Sequence, residues 1–107
     1  WDAVKKGIPE LISGIDASKV AGISFGGQMH GLVVLDADDN VIRPAILWND
    51  GRTQKETDYL NDVIGKDKLS EYTANIAFAG FTAPKILWMK ENEPDKFART
   101  KKIMIQT

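Results

Sequence analysis

A short apolar run that ends in a glycine-rich polar turn constrains the fold of this chain more than any other feature. Residues 20–25 are largely apolar and lead directly into residues 26–31, which carry His30, the only histidine. A second apolar run, residues 45–48, ends in the same way at the polar residues 49–52. Open α/β sheets bind small ligands at the carboxyl ends of their strands. The pattern therefore predicts an α/β fold with a small-ligand site at one sheet edge.

Hydrophobic periodicity predicts helices and strands that alternate along the chain. We expect helices over residues 1–13, 53–64 and 83–92, and strands over residues 20–25, 32–35, 41–47 and 102–106. The middle strands form a β-hairpin within residues 32–43, and Thr53 and Glu56 have the spacing of a capping box. Such interleaving favours a mixed β-sheet flanked by helices.

Composition excludes several functional classes. A net charge of -1 provides no basic surface for nucleic acid and no polybasic membrane patch, and no apolar run has the length of a membrane span. The chain has no cysteine and one histidine, so thiolate and multi-histidine metal sites are excluded. We expect no bound metal, no nucleic-acid partner, no membrane association and a cytoplasmic location.

The two ends of the sequence suggest a piece of a longer protein. The chain starts at Trp1, already in a helical pattern, and its last residues form an apolar, strand-like run. Domains usually end in polar, frayed segments. We therefore expect a fragment of a larger chain. The N-terminal strands that it would lack should leave an open sheet edge and an exposed apolar face, two features that favour self-association.

Residues 26–31 have two interpretations. A glycine-rich turn is a common connection between strands, and residue types alone favour that interpretation. Alternatively the turn binds hydroxyl groups, because His30 can donate or accept hydrogen bonds and Met29 offers a soft apolar wall.

The second polar turn is equally open to interpretation. Asp50 is a typical turn and helix-capping residue. Its carboxylate also suits vicinal hydroxyls, with Asn49 supplying an amide and Trp48 a stacking face. The loop over residues 73–83 is most simply a packed connection, and Lys85 is expected on the solvated surface of the next helix. The residues alone indicate a small-ligand site and leave the reaction open.

Three segments in this order resemble the N-terminal domain of the FGGY carbohydrate kinases: residues 22–31 (GISFGGQMHG), 43–53 (RPAILWNDGRT) and 80–85 (GFTAPK). The resemblance extends from about Val20 to the end of the chain. The Met-His pair at positions 29 and 30 resembles xylulokinases more than glycerol kinases, which carry Arg-Glu there. The resemblance implies a partial ribonuclease-H-like fold, as in actin, hexokinase and the Hsp70 ATPase, within an incomplete N-terminal domain over residues 1–107.

The resemblance also implies a function for the parent protein, which would transfer the γ-phosphoryl group of ATP, with Mg²⁺, to D-xylulose and form D-xylulose 5-phosphate. Met29 and His30 would contact the ketose, Asn49 and Asp50 would lie beside its hydroxyls, and Phe81 would line the wall. The family's phosphate loop and catalytic aspartate lie outside this chain, so we expect no cofactor and no activity in the fragment. The alternatives are another FGGY ketose kinase, acting on ribulose or fuculose, and a non-catalytic sugar-binding module of the same fold.

Overall fold

A computed structural model describes residues 1–105, which form helices and one small antiparallel sheet. The helices are α1 (Asp2–Ile12), α2 (Gln54–Asp58), a π-helix (Tyr59–Gly65), α3 (Lys66–Thr73), α4 (Thr82–Asn92) and α5 (Pro94–Arg99), with a short 3₁₀ turn at Ala17–Lys19. The strands are β1 (Val33–Leu35) and β2 (Lys102–Met104). No helix among the described residues is long and apolar enough to cross a bilayer.

The sheet joins distant parts of the chain. β1 runs antiparallel to β2, with Val34 opposite Ile103. Single antiparallel bridges extend this pairing, one between Leu32 and Ile46 and one between Leu35 and Val41. The predicted hairpin over residues 32–43 is therefore confirmed, although only isolated bridges form where a strand was expected over residues 41–47.

An aspartate closes the turn of this hairpin. The Asp36 carboxylate accepts hydrogen bonds from the main-chain nitrogens of Asp38 and Asn40, both at 2.9 Å. The hydrogen bond from the Asn40 main chain is the main reason why the pKa of Asp36 is lowered. The side chain thus replaces main-chain hydrogen bonds in the turn, as Asx turns do.

The core lies between this sheet and helix α4. Leu32 and Val34, two residues apart in the extended segment that contains β1, point to the same face, where they pack with Ile46 and Met89. All four side chains are buried. Partly buried side chains surround them: Ile42, Ile86, Trp88 and Phe97.

The strand predicted over residues 20–25 is wrong. This segment belongs to no strand, and its apolar side chains are exposed, Phe25 by 85%. A strand needs a neighbour to pair its main-chain N–H and C=O groups. Within residues 1–105 no neighbouring strand pairs with this segment. Helix α1, in contrast, confirms the prediction for residues 1–13 and continues through Pro9, yet none of its residues is buried.

The helix predicted over residues 53–64 is divided between α2 and the π-helix, and the helix predicted over residues 83–92 is α4. The capping box is wrong, because the Thr53 hydroxyl makes no cap hydrogen bond and donates instead to the main-chain oxygen of Ala79 at 2.8 Å. A tertiary contact has displaced a local one. The strand expected over residues 102–106 is confirmed over Lys102–Met104, and residue 106 lies outside the described part of the chain.

Candidate functional site

The segments that carry the sequence motifs meet at Lys85. This side chain is completely buried, and its ammonium group donates to the main-chain oxygens of His30, at 2.7 Å, and of Gly80. The expectation that Lys85 lies on the solvated surface is therefore wrong. Burial of a cation is costly unless polar atoms replace its water, and two carbonyl groups do so here. Burial lowers the pKa of Lys85, and the negative charge of Asp50 opposes that shift.

A histidine and a phenylalanine stack on each other beside this lysine. The rings of His30 and Phe81 lie nearly parallel, with centroids 4.2 Å apart, and Phe78 makes a tilted contact with Phe81 at 5.0 Å. His30 has φ +64°, in the left-handed region that residues other than glycine rarely adopt. The turn that carries His30 and the loop that carries Phe81 are thus in direct contact.

Two cavities share His30 as part of their walls. One, of about 270 Å³, is lined by residues 27–30 and Trp48. The other, of about 300 Å³, lies on the side of Phe81, between the loop and the helices around it, and Leu60, Ile76 and Pro84 contribute apolar walls. Both volumes are near the lower end of the range for small-molecule sites.

The polar turn after the second apolar run is braced by an arginine. Arg52 donates to one Asp50 oxygen through its main-chain nitrogen, at 3.1 Å, and through Nε, at 2.9 Å, and to the other oxygen through Nη2, at 2.7 Å. The hydrogen bond from the Arg52 side chain is the main reason why the pKa of Asp50 is lowered. The Arg52 guanidinium also lies 4.7 Å from the centroid of the Trp88 ring. Asp50 is therefore held ionised and in a fixed orientation.

The structure brings together only some of the candidate residues. Met29 and His30 line the smaller cavity side by side, and Phe81 stacks on His30. Asn49 and Asp50 line neither cavity, although the preceding residue, Trp48, lines the smaller one. The Asp50 carboxylate is close enough to Lys85 for their charges to interact.

Sequence reasoning missed the residues that anchor the loop before Phe81. Asn61, in the π-helix, accepts from the Ala77 nitrogen at 3.0 Å and donates to the Ala77 oxygen at 2.9 Å. Thr53 holds the Ala79 oxygen, and Lys85 holds that of Gly80. The contacts of Asn61 and Thr53 with the loop join residues 16 and 26 positions apart, which no local pattern reveals.

Two of these anchoring positions left a sequence signal. Lys85 is four residues before Met89, so both side chains lie on the helix face that packs into the core. Gly80 approaches another main-chain segment closely, because a Cβ atom there would lie 2.7 Å from the Trp48 oxygen. The glycine at position 80 therefore indicates a close main-chain contact, but the sequence does not show that Trp48 is the partner.

The described residues provide no candidate metal centre. No group of three or more His, Cys, Asp or Glu side chains among residues 1–105 has an arrangement that could hold a metal ion. The groups that the site offers are an imidazole, a thioether, aromatic rings, an amide and one carboxylate already paired with Arg52. This set suits a small polar ligand with apolar faces and does not fit a Mg²⁺ ion.

Comparison with known proteins identifies the family. All 107 residues match the N-terminal domain of the FGGY family of carbohydrate kinases. The chain belongs to this family. The resemblance of the three sequence motifs is thereby confirmed.

Relatives within the family carry xylulose kinase names. A Lactococcus lactis xylulose kinase is 56% identical over 87 residues, which cover 81% of this chain and 17% of that protein. A Staphylococcus xylosus xylulose kinase is 41% identical over 105 residues, or 98% of this chain and 22% of that protein. The chain thus spans about a fifth of the length of these relatives.

Solved structures confirm the fold class. A crystal structure of a "xyloylose kinase" from Brucella ovis superposes with a TM-score of 0.84 at 42% identity, over 97% of this chain and 22% of that one. The xylulose kinase from Bifidobacterium adolescentis superposes with a TM-score of 0.75 at 31% identity, over 90% of this chain and 22% of that one. The described residues therefore form part of an α/β domain of this kinase type.

Proposed function

We propose that this chain forms the sugar-binding part of the N-terminal domain of a longer ATP-dependent xylulokinase. The parent would transfer the γ-phosphoryl group of ATP to D-xylulose, giving D-xylulose 5-phosphate. One observation carries the proposal: Met29, His30 and Trp48 line a single small cavity, in a family whose similar members are named xylulose kinase.

The chemistry of this cavity supports a sugar ligand. A ketose presents hydroxyl groups around its edge and C–H groups on its faces. The imidazole of His30 can donate to or accept from a hydroxyl, whereas Met29 and Trp48 offer apolar surface to C–H groups. The ring of Phe81, which lines the neighbouring cavity, stacks on the His30 ring and limits how far it can turn.

The polar turn would complete the recognition of the sugar. Asn49 offers an amide that can both donate and accept. Asp50 is held by Arg52, and its Oδ2, which accepts one hydrogen bond from Arg52, retains acceptor capacity because a carboxylate oxygen has two lone pairs. We propose that both side chains lie beside sugar hydroxyls when the parent protein closes around its substrate.

The role of this chain in phosphoryl transfer is to bind and orient the acceptor. ATP and Mg²⁺ would supply the phosphoryl group and neutralise its developing charge. The family's phosphate loop lies outside this chain, so we assign the binding of both to other parts of the parent protein. The 107-residue chain is therefore expected to be inactive on its own.

Replacement of His30 tests this proposal. In the parent kinase, His30→Ala should lower kcat/KM for D-xylulose by up to about two orders of magnitude, since a lost hydrogen bond costs roughly 0.5–1.5 kcal/mol, or 1.5–3 if a charged group takes part. ATP hydrolysis without sugar should change much less. A steady-state ADP-release assay measures both reactions.

A matched variant separates the side chain from the main chain. Alanine is strained at the φ of +64° that His30 adopts, whereas glycine is not. His30→Gly should therefore lose as much sugar activity as His30→Ala. Normal xylulose kinetics in the glycine variant would remove His30 from the sugar site.

Two alternatives make different predictions in one assay. ADP release by the parent with a panel of ketoses identifies the preferred sugar and distinguishes a xylulokinase from a ribulose or fuculose kinase. A non-catalytic module would bind a ketose in calorimetry and release no ADP with any of them.

Self-association and location also remain proposals. The exposed apolar side chains of α1 and of residues 20–25, Leu11 by 79% and Ile23 by 70%, favour association of the isolated chain. Light scattering over a range of concentrations should show a mass that rises with concentration. We propose a cytoplasmic location for the parent, as expected from the sequence, which cell fractionation would test.

A further inference from the structure

We propose that Lys85 is a positioning residue of the sugar site, whose ammonium group fixes the His30 turn against the Phe81 loop. The inference rests on the proposed function and deepens it. It assigns a role to a residue that touches neither of the two cavities.

The first argument is where the two hydrogen bonds lie. One goes to the main-chain oxygen of His30 itself, 55 positions before Lys85 in the chain. The other goes to the oxygen of Gly80, the residue immediately before Phe81. A single ammonium group is therefore bonded to both segments that present the stacked rings.

The second argument is that the His30 conformation requires support. A histidine at φ +64° is uncommon and persists only where surrounding contacts stabilise it. The hydrogen bond from Lys85 acts on the carbonyl of this same residue. If the bond is lost, the residue can relax toward ordinary φ values and carry the imidazole away from Phe81.

The third argument is the burial of Lys85 without a bonded carboxylate. A lysine is almost never fully buried without such a partner. Here main-chain oxygens are its only hydrogen-bond partners among the described residues, and Asp50 contributes at longer range. An apolar side chain of similar length would fill the same space but leave both carbonyls without a donor. The lysine is therefore needed for its hydrogen bonds and not only for packing.

The test compares variants of the full-length parent kinase. Lys85→Met keeps the length of the side chain and removes the donors, whereas Lys85→Arg keeps a charged donor. Lys90→Met, at an exposed position of the same helix, is the matched control. Each variant is assayed for the KM of D-xylulose, the KM of ATP and the thermal unfolding midpoint.

We expect Lys85→Met to raise the KM of D-xylulose by about tenfold or more, the factor that corresponds to one lost charge-assisted hydrogen bond. The KM of ATP should change by less than about twofold, because Lys85 reaches the site only through the His30 turn and the Phe81 loop. Lys85→Arg should recover most of the loss, and Lys90→Met should behave as the unaltered protein. Equal increases in both KM values would overturn the inference, as would an unchanged KM for D-xylulose.

A double-mutant cycle distinguishes this inference from the function on which it rests. If Lys85 acts through His30, the loss caused by Lys85→Met should largely vanish in a His30→Gly background. If His30→Gly has no effect, the proposed function fails. If His30→Gly is impaired and Lys85→Met adds its full loss to it, only the positioning role fails. Lys85→Gln, which keeps an amide donor, replaces Lys85→Met in the cycle if the methionine variant does not fold.

Discussion

Residues 1–28 and residues 29–105 both carry clear apolar patterns, yet every side chain that the structure buries lies in the second region. Helix α1 leaves Leu11 exposed by 79%, whereas helix α4, of the same length, buries Met89 almost completely. The difference is the presence of a partner surface, since α4 packs against α2 and the sheet side chains. An apolar pattern shows which face of a helix favours burial, but it does not show which element packs against that face.

Apolar side chains of the first region line a groove. Ile8, Leu11 and Ile12 of α1 form a groove of about 450 Å³ together with Val20 and Ile23. These side chains face one another without closing a core, and residues 21–27 make no hydrogen bond within the described part of the chain. We therefore expect the two regions to respond differently to the same substitution.

The largest difference is expected from leucine truncation. Leu32→Ala should destabilise the 107-residue chain by about 2–5 kcal/mol, because it removes buried methyl groups and leaves a cavity. Leu11→Ala should change the free energy of unfolding by less than about 0.5 kcal/mol. Urea denaturation followed by circular dichroism measures both values. Equal changes in the free energy of unfolding would show that α1 is packed in solution and that the two regions do not differ.

A smaller difference is expected from glycine substitution. Gly80→Ala should destabilise by about 1–3 kcal/mol, since its Cβ would lie 2.7 Å from the Trp48 oxygen and main-chain atoms must move. A Cβ atom at Gly22 would meet nothing within 4 Å beyond its chain neighbours, so Gly22→Ala should be neutral or stabilising by about 0.4–1 kcal/mol. The unfolding midpoint should therefore fall in Gly80→Ala and stay the same or rise in Gly22→Ala. A destabilising Gly22→Ala would mean that the first region packs more tightly than its exposed side chains indicate.

The smallest effect is expected from the Asp50–Arg52 pair. The folded-state pKa of Asp50 is lowered, so its stabilising contribution is present above its usual value of 3.8 and disappears as the pH falls through the folded pKa. The pair is partly exposed, so we expect Asp50→Asn to cost up to about 1 kcal/mol at pH 7. This cost should shrink as the pH falls below about 4. A cost that does not depend on pH would show that the carboxylate charge is not what stabilises the turn.

The sequence predicted most of the helices because their signals are local. Periodicity located α1 and α4, and two short apolar runs predicted the hairpin over residues 32–43. The prediction of a strand over residues 20–25 failed because a strand needs a neighbouring strand to pair with, and the described residues provide none. The capping box failed because a carbonyl 26 residues away took the Thr53 hydroxyl.

The same distinction between local signals and distant contacts applies to the candidate site. Met29 and His30 were singled out by their turn, and the structure brings Phe81 onto His30. Lys85 was misjudged because a lysine is mostly exposed, and only the fold reveals the two carbonyls that it meets. Contacts that span such distances along the chain are invisible to spacing rules.

The anchoring of the loop before Phe81 has a consequence for variation of this site. Asn61, Thr53 and Lys85 all hold the loop by main-chain atoms, which every amino acid except proline possesses in full. The side chain at Ala77, which lines the larger cavity, can therefore be exchanged during evolution while the path of the loop is preserved. The same main-chain frame can therefore present different cavity walls.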